Sequence, residues 1–201
     1  MVRKLSITEW LVLINIAVYT ILAIIGLSAL ALNQDVLVFI AQYNKFIFEQ
    51  GYIWELFTAL FVHFHLGHLL GNMIFLLLFG YRTEDFFEWK KYLIIYLVSG
   101  LIGNLLGLFF GPDFLSAGAS GAIFGLFGSL IYPLKKESPR SLKGMIFIGV
   151  IFLIFSGVNY NVDSISHWAG FIVGLFLGKY FSKINLKKER IIPKSIKVKE
   201  T

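Results

Sequence analysis

The sequence predicts an all-α polytopic membrane protein, a bundle of six transmembrane helices with both termini cytoplasmic. Three observations carry that expectation. Hydrophobic residues make up 57% of the 201 and charged residues only 15%, with a mean hydropathy of +0.77. A soluble domain has about 45–50% apolar and about 25% charged residues. Apolar runs fall at roughly 10–32, 56–80, 92–111, 119–134, 144–160 and 164–182, and about 20 such residues cross a ~30 Å hydrocarbon core. The third observation is charge. With these six spans, seventeen of the 18 basic residues fall on one side of the membrane and only Lys45 on the other, which makes that side cytoplasmic.

Taken in order, Arg3 and Lys4 precede the first run. That run is about 23 residues long, beyond the 7–15 of a signal-peptide core, so it reads as a retained helix. Between it and the second run lies a loop from Asn33 to Trp54, rich in aromatics (Tyr43, Phe46, Phe48 and Tyr52) that suit a membrane interface. The second loop carries Arg82, Lys90 and Lys91, and the fourth carries Lys135, Lys136, Arg140 and Lys143. The fourth run is short, about 16 residues, so the Gly111-Pro112-Asp113 loop before it is expected to dip inward beside a water-filled cavity. The domain reading is a short cytoplasmic N-terminus (1–9), a membrane domain (10–182) and a basic cytoplasmic tail (183–201) attracted to anionic lipid. No nucleic-acid motif, internal repeat or soluble second domain is visible. With no cysteine there is no disulfide framework, thiolate metal site or cysteine nucleophile.

Segments two, four and six all begin at the outer face, and each carries polar residues near that end. Ser120 lies in Gly118-Ala119-Ser120-Gly121, heading the apolar run through Phe124 and Gly125. One reading makes it another small residue in a close-packing face with Gly121 and Gly125. The other makes it a nucleophile, with glycines admitting a substrate backbone and free helix N-terminal N–H groups facing an oxyanion. His167 stands three residues before Gly170, on the stripe continued by Gly174 and Gly178. Packing that stripe on segment four brings His167 towards Ser120. A histidine inside a membrane helix is costly and is a functional candidate by default.

His68 and Asn72 are four apart and share a helix face. Both can donate hydrogen bonds from side chains, as oxyanion donors must. His63, read as helical, lies about 140° from His68 and is expected to support the helix end. His65 has no assigned role. The His-Glu-x-x-His zinc pattern is absent, and no carboxylate accompanies the three histidines of segment two, so neither metal nor other cofactor is expected. Asp163, four before His167, has two readings: orienting it as a triad member, or capping segment six together with Ser164. With capping, a Ser–His dyad remains. Phe124, one turn below Ser120, is the aromatic candidate to pack on the histidine ring.

These residues resemble the rhomboid intramembrane serine proteases. The resemblance rests on His63-x4-His68-x3-Asn72, Gly118-Ala119-Ser120-Gly121-Ala122-Ile123-Phe124-Gly125 and His167-x2-Gly170-x3-Gly174. It covers the chain from about Trp54 to Lys179. It implies a rhomboid-type six-helix bundle with Ser120 as nucleophile and His167 as general base. The oxyanion hole would be the Ser120 N–H with the side chains of His68 and Asn72. His63 and Phe124 match the family's supporting residues, and Asn33–Trp54 resembles its first loop. One position departs from the pattern: where the family commonly has Trp-Arg, this chain has Trp54-Glu55, which bears on the loop's internal hydrogen bonds.

The resulting expectation is an endopeptidase acting through an acyl-enzyme. Its partners would be the bilayer and single-span transmembrane substrates, cut near the outer face of the cell (inner) membrane. Two rivals come from other classes: a catalytically silent membrane-protein binder on the same fold, and a transporter or channel using the polar residues as an ion path.

Overall fold

The computed structural model describes residues 4–156 and 164–191. Residues 157–163, Asp163 among them, and the end of the basic tail lie outside the described residues. What is described is mostly helical, and six of its helices have 18 residues or more. Two stretches, Ile7–Ile25 and Trp89–Phe110, are by themselves long and apolar enough to cross a membrane.

Helix α1 (Ile7–Ile25) opens on a capping box. Ser6 accepts from the Glu9 N–H while the Glu9 carboxylate accepts from the Ser6 N–H, satisfying two otherwise free donors. The helix ends at Gly26, six residues before the apolar run gives out at Leu32. Hydropathy alone could not see that stop.

The segment that follows contains α2 (Gln34–Leu37), a two-residue strand β1 (Gln42–Tyr43), α3 (Asn44–Gln50) and α4 (Glu55–Thr58), which runs into a 3-10 turn at Ala59–Phe61. The predicted second span, 56–80, is therefore not one helix. Its first ten residues break into that short helix and turn, then an extended stretch, before α5 (Leu66–Glu84) begins. The extended stretch is used for pairing. Leu32 N–H donates to the Phe64 carbonyl and Leu66 N–H to the Leu30 carbonyl, which stitches the end of α1's loop to the start of α5.

Helix α6 (Trp89–Gly107) leads through a 3-10 turn at Leu108–Phe110 to strand β2 (Leu115–Ser116), then to α7 (Ser120–Glu137), α8 (Pro139–Ser156) and α9 (Ser164–Ile191). The fourth helix is longer than the apolar run implied. It starts within a residue of the expected point but continues through Pro133 to Glu137, 18 residues in all. Its polar last turn hid the true end from a hydropathy reading.

Helix α7 is the centre of the bundle, with α5, α6, α8 and α9 packed on it. Every residue from Gly121 to Leu130 is buried. Glycines set the spacing on the α9 side. A Cβ on Gly170, Gly174 or Gly178 would collide with the carbonyl oxygens of Gly121, Gly125 and Ser129 respectively. The two helices meet backbone to backbone along three turns, as small-residue stripes allow.

Candidate active site

Ser120 is the first residue of α7, so its N–H has no acceptor within the helix. It is half-buried. The glycine contact one turn further on fixes the height of α9 against α7, and His167, in the first turn of α9, arrives beside the serine. The His167 Nε2 lies 2.8 Å from the Ser120 Oγ. His167 is 5% exposed. Its ring packs against Phe124 with centroids 4.8 Å apart, and Phe124 in turn stacks on Phe152 at 4.5 Å. An imidazole at hydrogen-bond distance from a hydroxyl, held by packing, is the geometry general-base activation of a nucleophile requires.

On the other side of Ser120, Gly118 makes room for two side chains of α5. Its φ of +130° is one that L side chains rarely adopt. A Cβ there would also meet the His68 ring at 2.9 Å and the Asn72 Nδ2 at 3.6 Å. The imidazole of His68 and the amide of Asn72 therefore converge two residues before Ser120. Two side-chain donors and a free helix N-terminal N–H around one hydroxyl can stabilise negative charge developing there.

The structure thus brings Ser120, His167, His68, Asn72, Phe124, Gly118, Gly121, Gly170 and Gly174 to one place. His63 is close too, but not for the reason its spacing suggested. It precedes α5 in extended backbone, so the 140° offset does not apply. It is fully buried, with its ring edge-on to His68 at 5.0 Å. Asp163 lies outside the described residues.

Sequence reasoning missed several participants. His65 is the N-cap of α5, where its Nδ1 accepts from the His68 N–H at 3.0 Å. It thereby helps orient the turn that carries His68. Histidine is not among the preferred capping residues, so no motif announced it. Ser166, next to His167, wedges between α6 and α7 against Gly103 and Gly121. The segment leading to Ser120 is also tied to the loop after α1. Strands β1 and β2 pair antiparallel, Gln42 with Ser116 and Tyr43 with Leu115, and the Gly118 N–H donates to the Ala59 carbonyl.

Among the described residues, no group of three or more His, Asp or Glu side chains could hold a metal ion.

The rhomboid domain, as a family pattern, matches residues 50–184, a stretch that contains Ser120, His167, His63, His68, Asn72 and Phe124. The chain belongs to the rhomboid family. It is 30% identical over 181 residues to Rhomboid-like protease 3 of Toxoplasma gondii, covering 87% of this chain and 68% of that one. It is 32% identical over 177 residues to Rhomboid protease GluP of Bacillus subtilis (strain 168), covering 86% of this chain and 34% of that protein. It is 35% identical over 135 residues to RHOMBOID-like protein 1 of Arabidopsis thaliana, covering 64% and 34%. The chain spans about a third of the length of the latter two. As a rhomboid with helices apolar enough to cross a bilayer, it is an integral membrane protein.

Proposed function

We propose that this rhomboid is an intramembrane serine endopeptidase working through a Ser120–His167 dyad. The observation that carries the reading is the 2.8 Å approach of His167 Nε2 to Ser120 Oγ at the start of a buried helix. The Ser120 Oγ attacks the scissile carbonyl carbon while His167 Nε2 takes its proton. The tetrahedral oxyanion is held by the Ser120 N–H and the side chains of His68 and Asn72. The C–N bond then breaks, His167 returns the proton to the leaving amine, and an acyl-enzyme remains on Ser120. Water, deprotonated by His167, attacks that ester and releases the new carboxyl end. His63 and Phe124 support the two imidazoles, and no cofactor enters the scheme.

The six long helices are the six spans, with residues 1–9 and the tail 183–201 cytoplasmic and residues 10–182 forming the membrane domain. The distribution of lysine and arginine supports that orientation. Ser120 then lies towards the extracytoplasmic side of the cell (inner) membrane, and the substrates are single-span transmembrane proteins cut near that face.

The test is reconstitution of the purified protein in liposomes with a helical transmembrane substrate. Ser120→Ala and His167→Ala are expected to abolish cleavage, and a serine-directed phosphonate is expected to label Ser120 in the wild type. Cleavage surviving both substitutions would overturn the assignment. A wild-type protein that binds the substrate helix, cuts nothing and takes no phosphonate is a silent binder instead.

A further inference from the structure

Glu55 is the position at which this chain departs from the Trp-Arg pattern, and it occupies an unusual place for a carboxylate. It is fully buried at the start of α4. Its Oε2 accepts from the Tyr43 N–H at 2.8 Å, so it holds β1. Its Oε1 is buried with no hydrogen-bond partner. The adjoining strand residue, Gln42, has its Oε1 in the same condition. The rest of that cluster is paired: Gln42 Nε2 donates to Asn44 Oδ1 and the Asn104 carbonyl, both at 2.9 Å, and Asn104 Nδ2 donates to the Leu56 carbonyl. An ionised carboxylate is acceptor-only. Here it would add a charge to a cluster already short of donors, whereas the neutral acid adds an O–H.

We infer that Glu55 is a positioning residue for Ser120: through the Tyr43 N–H it anchors β1 and thereby the β2 segment leading into α7. The mechanical path is continuous. Glu55 holds the Tyr43 N–H, Tyr43 pairs with Leu115, the Asn44 N–H donates to the Phe114 carbonyl, and Ser120 follows β2 by four residues. The assignment rests on Ser120 being the nucleophile, while the anchoring itself does not.

Protonation gives the anchor a direction in pH. Burial pushes the Glu55 carboxyl above its ordinary value of 4.5, with the Tyr43 N–H pulling the other way. The ionisable groups on the elements and loops around α4 are Tyr43, Lys45, Glu49, Tyr52 and His63, with Lys90, Lys91, Tyr92 and Tyr96 on α6, which packs against it. Among the described residues none forms an ion pair or side-chain hydrogen bond with Glu55. A carboxyl whose folded value is raised contributes stability that is fully present below its unfolded value and is lost as pH rises through the folded one. The loop is therefore held more tightly in acid than at neutral pH.

Hydrogen–deuterium exchange on the full chain in nanodiscs, corrected for intrinsic rates, reads this directly. Segments 42–44 and 114–116 of the wild type should exchange faster as pH rises from about 4 to about 8. Glu55→Gln, which accepts through its carbonyl and donates through its amide, should keep the acid-form protection and lose that pH dependence. Glu55→Leu should speed exchange in both segments by about tenfold and slow phosphonate labelling of Ser120 similarly. Thermal melting of each variant confirms that it folds. Glu55→Gln loosening the loop as much as Glu55→Leu, or a wild-type loop flat in pH, overturns the inference. Exchange behaving as stated in a protein that takes no phosphonate leaves the anchor standing and removes the nucleophile instead.

Discussion

Ser120 stands between two regions that are held by opposite means. On its C-terminal side, α7 meets α9 through glycines seated on carbonyl oxygens, with no side chain between the backbones at those three contacts. On its N-terminal side, the chain is fastened to the loop after α1 by discrete polar bolts, each a named donor on a named acceptor. The first arrangement derives its precision from contact: nothing can be added. The second derives it from satisfied hydrogen bonds, and its weakness is that removing one partner strands the other. A dyad that must hold a 2.8 Å distance has the rigid contact behind it. The adjustable region leads into it, in the segment that carries Gly118.

The largest effect is expected where no atom fits. Gly174→Val would drive a branched side chain into the Gly125 carbonyl. Backbone cannot step aside as a side chain can, so the cost is expected at about 3 kcal/mol or more. Gly144→Ala is the control, because a Cβ on Gly144 meets nothing within 4 Å. Melting in detergent should drop sharply for the first and hardly move for the second. Equal melting would dissolve the distinction between the two regions.

The rigid region was legible in the sequence and the bolted one was not, for a physical reason. A Gly-x3-Gly-x3-Gly stripe is a local pattern whose period is that of the helix itself, so Gly170, Gly174 and Gly178 announce a face, and His167 three residues before it inherits the same face. The six apolar runs matched six long helices, but their ends did not match. Helix ends are set by caps such as Gly26 and His65 and by pairing such as Leu32 with Phe64, none of which hydropathy measures. Nothing local in Gln42, Asn44, Glu55 or Asn104 says that they meet across separations of up to 62 residues. In the sequence Glu55 stands out only as a departure from a pattern, and its partner, a backbone N–H, leaves no trace in any side chain.

Asn44 tests the bolted region. Its Nδ2 donates to the Gly107 carbonyl at 3.0 Å and to the Gly111 carbonyl at 2.8 Å, closing the turn between α6 and β2. Asn44→Leu keeps the volume and strands both carbonyls, a loss expected at about 1–3 kcal/mol. Because the backbone N–H at position 44 still donates to the Phe114 carbonyl and Glu55 still holds β1, Ser120 stays placed: proteolysis should fall, but phosphonate labelling should fall less than it does in Glu55→Leu or Phe124→Leu. The reverse order would mean that the polar region, not the packed one, sets the dyad.

Phe124→Leu removes the ring beneath His167 while leaving an apolar residue of similar reach. An aromatic contact of this kind is worth about 0.5–1.5 kcal/mol beyond its buried area. If the ring holds the imidazole, kcat should drop by up to about tenfold with KM nearly constant. A change confined to KM would assign Phe124 to substrate contact and detach it from the rigid region.

The smallest effect is expected at His65, which joins the two regions. Its Nδ1 caps α5 by accepting the His68 N–H, so it fixes the first turn of the helix that carries His68 and Asn72 towards Gly118. Loss of a cap costs about 0.5–2 kcal/mol, and His65→Ala, which removes a cap of a type not among the preferred ones, is expected at the low end of that range by thermal melting. His65→Asn can still accept through its side-chain carbonyl and should recover most of the loss. If His65 acts only through the cap, activity should follow stability through both variants. Activity lost in His65→Asn at full stability would give the ring a part in the chemistry of His68, whose centroid lies 5.7 Å away. The boundary between scaffold and site would then fall one residue earlier than the capping geometry puts it.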